Sequence, residues 1–212
     1  QLEDQSQATA YIKSDGITSV RKATTTNLIE YSEDTSQSSW NDNHITWSHN
    51  LYPSPIGTNN ATKITSTNNS AKVVISLNLE NSKAYTISMY IKNISTTSVK
   101  MLVYQNNDAA VPLNSNYQDE LSTTEWVRVE KTFTTTSTAT GGTVQIQPAR
   151  DIPNNEEMYI WGLQVEEQTQ AETYTPTKGI PVTIDLFTEN NYGTMTNMVA
   201  GNIVLDTPNK PA

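Results

Sequence analysis

The chain has no cysteine, two histidines and two phenylalanines among its 212 residues. Absent cysteine removes disulfide staples, thiolate metal sites and cysteine nucleophiles together, and leaves the redox compartment open. Charged residues make up 17% and hydrophobic residues 35%, both low for a globular chain. Apolar runs are too short to span a bilayer, so no membrane insertion is expected. A basic stretch followed by an apolar one is missing at the start, so no secretion signal is visible. Gln1 in place of Met reads as a processed product or a piece of something longer. The formal charge of −9 argues against nucleic acid as a partner, because phosphate backbones need clustered Lys and Arg.

What is present is short and polar: 32 Thr, 22 Asn and 19 Ser, about a third of the chain. Disorder is excluded by 4 Trp, 10 Tyr and strings such as Val73-Val74-Ile75, since disordered chains lack aromatic and β-branched residues. Thr, Val, Ile and Tyr favour pleated strands, and Asn and Ser favour the turns between them. The composition is that of an all-β protein.

The chain repeats a segment of itself. Gln1-Leu2-Glu3-Asp4-Gln5-Ser6-Gln7-Ala8-Thr9-Ala10-Tyr11, closing at Gly16, returns at Gln164-Val165-Glu166-Glu167-Gln168-Thr169-Gln170-Ala171-Glu172-Thr173-Tyr174, closing at Gly179, with seven of sixteen positions identical. Tandem modules explain this most simply: residues 1–16 as the tail of a preceding copy, 17–179 as a complete domain, and 180–212 as a short β segment with a proline-rich exit. A strand type used twice in one domain is the rival reading.

Strands are expected at 27–31, 44–47, 61–66, 71–79, 84–92, 98–104, 126–134, 142–148 and 158–165, with Asn-, Ser- and Gly-rich turns between them. Nine short strands without helical periodicity point to a two-sheet β-sandwich of the jelly-roll type. Alternation assigns faces. Tyr85, Ile87, Met89 and Ile91 oppose Thr86, Ser88, Tyr90 and Lys92, and Val127, Val129, Lys131 and Phe133 oppose Trp126, Arg128, Glu130 and Thr132. The polar faces carry Tyr90, Tyr104, Arg128, Gln145 and Gln147. Flat rings beside amide and guanidinium donors suit sugars, which present apolar C–H faces and dense hydroxyls. An ordinary solvated face with scattered Tyr reads the same way, and parity does not say which strands are neighbours. Alanine at Tyr90 or Tyr104 is expected to weaken sugar binding without lowering stability. Trp40 and Tyr52, in a polar stretch with Trp47, His44 and His49, are further binding candidates if their loops expose them.

Catalytic signatures are absent: no zinc His-Glu-x-x-His, no Gly-x-Ser-x-Gly and no phosphate loop. Glu33-Asp34, Asp119-Glu120, Glu156-Glu157 and Glu166-Glu167 are adjacent acids, but nothing pairs them across a sugar as glycoside hydrolysis needs. No cofactor is expected. Metal content is open, a structural Ca²⁺ on loop oxygens being one option.

Three segments resemble the carbohydrate-binding-module-like jelly-roll domains of bacteriophage tail and other virion proteins. They are Asn27-Leu28-Ile29-Glu30-Tyr31-Ser32-Glu33-Asp34 with Trp40; Thr123-Thr124-Glu125-Trp126-Val127-Arg128 leading to Phe133-Thr134; and Ile160-Trp161-Gly162-Leu163-Gln164-Val165-Glu166 followed by Tyr174-Thr175-Pro176-Thr177. The departure is at Lys13-Ser14, where the family has Pro-Thr. The resemblance implies a non-enzymatic module on a virion, gripping host-surface glycan during adsorption and sitting among other virion subunits in a larger oligomeric assembly. It also implies that Trp126 and Trp161 are packing residues. A purely structural virion module, or an accessory module of a secreted polysaccharide-degrading enzyme, would fit the same segments.

Overall fold

The computed structural model is all-β, with no helix among the described residues. Backbone is described for residues 8–13, 16–22, 24–95, 100–105, 115–116, 121–138, 141–147, 155–186, 198–199 and 202–203, and side chains for 24–95, 121–138, 141–144 and 155–186. Two compact units divide the chain. The larger is Asn27–Val182, and the smaller combines Gln1–Thr26 with Thr183–Ala212.

In the smaller unit β1 (Ala8–Lys13) and β2 (Gly16–Lys22) form an antiparallel hairpin. This hairpin joins residues on both sides of the boundary expected at 16/17. The larger unit starts at Asn27, ten residues after that expected start.

Next along the chain comes β3 (Thr24–Asn27), which later pairs with β14 (Val182–Asp185). There Thr26 Oγ1 and Thr183 Oγ1 share a hydrogen bond of 2.7 Å. Between them run β4 (Trp40–Asn43), β5 (Ile45–Pro53), β6 (Asn59–Ser66), β7 (Lys72–Leu77), β8 (Ala84–Asn93), β9 (Lys100–Gln105), β10 (Ser115–Asn116), β11 (Val127–Thr134), β12 (Gly142–Gln147) and β13 (Glu157–Glu166). The chain closes with the short pair β15 (Met198–Val199) and β16 (Asn202–Ile203).

The larger unit is the expected jelly-roll sandwich. Its front sheet has the order β11-β8-β13-β6-β5 and its back sheet β10-β9-β12-β7-β4. The chain shuttles between them, so β8 and β9, consecutive in sequence, lie in different sheets. Inward parity supplies the core: Tyr85, Ile87, Met89 and Ile91 from β8 meet Val73, Ile75 and Leu77 from β7, with Met158, Ile160, Leu163 and Val165 from β13. Burying each such side chain stabilises by about 1.5–3 kcal/mol relative to exposure.

Two local features depart from simple alternation. Residues 28–31 leave the expected strand because Asn27 Oδ1 accepts from the Ile29 amide at 3.1 Å, turning the backbone in the way Asx side chains do. In β13, register runs Trp161↔Tyr90 and then Gln164↔Ser88. Three steps on one strand against two on the other is a bulge with one extra residue. Gly162 supplies it at φ +64°, a conformation open to glycine. The bulge resets parity, so Leu163 and Val165 enter the core while Trp161, Gln164 and Glu166 share the outer face. A methyl group on Gly162 would sit 3.1 Å from Tyr174 Cε2 and 3.4 Å from Tyr90 Cδ2. Gly162→Ala is therefore expected to cost about 1–3 kcal/mol, read as a lower urea midpoint. An unchanged midpoint would contradict this role of the bulge.

Candidate carbohydrate-binding face

The outer face of the front sheet divides in two. At one end Thr86, Gln164 and Glu166 are buried, because residues 167–177 lie over them. Thr86 Oγ1 donates to Gln168 O at 2.9 Å, Gln164 Oε1 accepts from the Thr175 amide at 2.7 Å, and Glu166 Oε2 accepts from the Glu172 amide at 3.1 Å. Tyr174 anchors this strap. Its hydroxyl bonds Ser32 Oγ at 2.7 Å and donates to Glu33 Oε1 at 3.2 Å, and burial pushes its pKa well above the ordinary tyrosine value. The hydroxyl thus serves as a clasp between the strap and residues 32–33.

The other end is open and ring-lined. Register places Val127 beside Ile91 and Lys92 beside Tyr159, so one row across the sheet reads Trp126, Lys92, Tyr159, Lys63. The Trp126 and Tyr159 rings lie 6.3 Å apart, and Tyr52 from β5 tilts against Tyr159 at 4.8 Å. All three rings are half-exposed. Tyr52 shares this face with Ser48, and a bulge in β5 between them, where Asn50 takes φ 54°, sets it beside Ala61. The next row is Arg128, Tyr90, Trp161. Tyr90 packs edge-on to Trp161 at 5.5 Å and to Tyr174 at 6.2 Å, with the Arg128 guanidinium carbon 5.7 Å above its ring. Trp161 is 3% exposed and its indole donates to Asn60 Oδ1 at 3.0 Å. It is the floor under the other rings, a packing role as expected, whereas Trp126 stands on the open face.

The candidates singled out from sequence are therefore divided. Tyr90, Arg128 and Tyr52 meet on the front sheet. Tyr104, Gln145 and Gln147 belong to the back sheet, where backbone register sets Tyr104 beside Thr143 and Gln145 beside Val74 and Leu102; their side chains lie outside the described residues. A single face holding all five does not form, because the step from β8 to β9 changes sheets. Trp40 is also corrected. It is 8% exposed, within the core, and its indole donates to Tyr31 O at 2.8 Å, since β4 pairs with β7 and turns the ring inward. Tyr90 is more embedded than a free sugar contact, so its alanine variant loses packing as well. Tyr159, Lys92 and Lys63 were not singled out, although the alternation of Met158, Ile160 and Tyr159 already pointed Tyr159 outward.

Glu33, Glu157 and Glu167 are engaged in structure. Glu33 accepts from Asn60 at 2.8 Å, Glu167 meets Lys83 at 3.1 Å, and Glu157 meets Lys63 at 2.7 Å and Thr65 at 3.0 Å. The Asp119-Glu120 pair lies outside the described residues. Among the described residues no three His, Asp or Glu side chains gather around a metal site. Asp34 feels burial, which raises its pKa, but hydrogen bonds from Ser36, Gln37 and Asn50 outweigh it and bring the value to about 2, from an ordinary 3.8. A depressed carboxyl pKa contributes stability that is present above about pH 4 and lost as pH falls through 2. The loss is on the order of 1 kcal/mol once solvent screening is discounted. Asp34→Asn is expected to flatten the decline in unfolding midpoint between pH 4 and pH 2; an identical decline in the variant would refute the assignment.

A two-sheet sandwich with an open aromatic patch on its front sheet is the class the geometry defines: a jelly-roll module. The family profile of the carbohydrate binding domain, CBM_4_9, matches residues 33–156. That is more than half of the chain, and the chain belongs to this family. Solved structures of similar fold include the CBM22-1 xylan-binding domain of Paenibacillus barcinonensis Xyn10C, with 12% identity, 69% of this chain and 94% of that one covered, and a TM-score of 0.51. The C-terminal family 22 carbohydrate binding module of Clostridium thermocellum Xyn10B gives 14%, 69%, 96% and 0.52. The tandem CBM22-1–CBM22-2 structure of Xyn10C gives 13%, 68%, 46% and 0.54. At these identities the likeness is one of fold. No curated protein matches the chain.

Proposed function

We propose that residues 27–182 form a non-catalytic carbohydrate-binding module whose glycan lies across the open end of the front sheet. The carrying observation is the patch formed by Trp126, Tyr159 and Tyr52, three half-exposed rings on one face. Rings of this kind stack on the C–H faces of sugars, while Lys63, Asn60 and Arg128 stand within the same surface to meet hydroxyls. Half-exposed rings on a rigid sheet lose little side-chain entropy on binding. A glycan array followed by titration calorimetry tests the proposal. Binding to at least one polysaccharide is expected, and silence across host-surface and plant polymers alike would sink it.

The setting we favour is a bacteriophage virion, with the module holding host-surface glycan during adsorption among other virion subunits. The three resembling segments support this reading. The enzyme-accessory setting is favoured by a different observation, the family 22 modules of Xyn10C and Xyn10B that share the fold. Residues 1–16 read as the closing strap of another copy. In their counterpart, Gln164, Glu166 and Tyr174 clasp the strap, and Gly179, at φ +100°, donates its amide to Glu30 O at 2.7 Å. Coding sequence on the N-terminal side is expected to hold a further module and separates the settings: virion genes around it favour the first, an attached hydrolase domain the second.

A further inference from the structure

We infer that the platform takes an anionic glycan, one bearing carboxylate or sulfate groups, a conclusion that rests on the glycan-binding reading of the same face. In a chain with 22 acidic residues against 13 Lys and Arg, cations left without a carboxylate partner are against the composition. Two stand on this surface. Lys92 occupies the register position between Trp126 and Tyr159, half-buried and in no ion pair among the described residues. Arg128 is held by one neutral contact, Nη2 to Ser88 Oγ at 2.9 Å, and by the Tyr90 ring, and its buried Nε has no acceptor.

The nearest carboxylate along β13 does not answer these charges, because Glu157 is taken by Lys63 at 2.7 Å. Lys92 and Arg128 are diagonal neighbours on adjacent strands, about 7–8 Å apart at the backbone. A neutral sugar needs only hydroxyl partners and rings. Two positive charges set into an aromatic platform add something a neutral sugar does not use, and a planar guanidinium matches a carboxylate or sulfate through two parallel hydrogen bonds. Desolvation against the rings strengthens that attraction relative to open water.

The test measures affinity of the whole chain for polygalacturonate and for dextran sulfate, each against its neutral counterpart, carboxyl-reduced polygalacturonate and dextran. Measurements run at 50 and at 300 mM NaCl. At least one charged polymer is expected to bind about tenfold tighter than its neutral form and to weaken about tenfold with salt; the two arms tell carboxylate from sulfate. Lys92→Gln and Arg128→Lys are expected to reduce that preference at least fivefold, the former with an unchanged unfolding midpoint. Equal, salt-insensitive binding of charged and neutral polymers would overturn the anionic preference while leaving glycan binding intact. Charged-polymer binding that survives Trp126→Ala with Tyr159→Ala would also overturn it, as adhesion away from the platform. No binding to any polymer, charged or neutral, would remove the glycan reading itself.

Discussion

With Trp126 and Tyr159 both replaced by alanine, the module is expected to fold normally and to lose roughly 100-fold or more in glycan affinity. Each ring is half-exposed, and neither belongs to the core cluster. Truncation therefore opens no internal cavity, and the unfolding midpoint should stay within a few degrees of the parent. On the binding side, an aromatic anchor at the centre of a recognition surface contributes about 2 kcal/mol, about 30-fold each. Calorimetric titration of parent and double variant against the tightest glycan decides it. An affinity within threefold of the parent would mean that the sugar lies elsewhere.

The largest expected loss of stability comes from a polar residue. Asn27 is 1% exposed and serves four backbone groups at once. Its Nδ2 donates to Thr175 O at 2.8 Å and Leu163 O at 3.4 Å, and its Oδ1 accepts from the amides of Ile29 at 3.1 Å and Val165 at 3.3 Å. Those groups come from the entry segment, the bulged strand β13 and the strap. A buried donor or acceptor left unmet costs about 1–3 kcal/mol, so Asn27→Leu is expected to destabilise by about 3–5 kcal/mol. For a unit of this size that lowers the melting temperature by roughly 10 °C. A drop under about 2 °C would show that water or a shifted strap meets the same groups.

Asn27 also shows what the sequence could and could not reveal. The core was legible because it obeys parity: Ile87, Met89 and Ile91 on β8, and Val129 and Phe133 on β11, point inward as alternation requires. Fold class followed from the number of such strands. Strand pairing was not legible, because parity is a property of one strand while neighbours are fixed by long-range closure. That is how Tyr90 and Tyr104, alike in sequence, came to stand on different sheets. Trp40 was misjudged because its strand, Trp40–Asn43, has one apolar residue in four, and only pairing with Ile75 shows the ring turning inward. Tyr52 was legible as a candidate for the wrong reason. It sits in a strand, and a bulge of two extra residues carries it beside Tyr159. Backbone irregularities at Asn50 and Gly162 set which residues share the platform, and neither leaves a periodic trace in the sequence.

The four tryptophans offer one direct measurement. The indole N–H groups of Trp40, Trp47 and Trp161 are taken by Tyr31 O, Asp42 Oδ2 and Asn60 Oδ1. That of Trp126 has no partner among the described residues. Titrating ¹⁵N-labelled protein with the glycan fragment it binds should shift the Trp126 indole resonance progressively and saturably, while those of Trp40 and Trp47 stay nearly still. A stationary Trp126 signal, with the shifts gathered instead on back-sheet residues such as Asn41, Lys72 and Val74, would contradict a binding site on the front face.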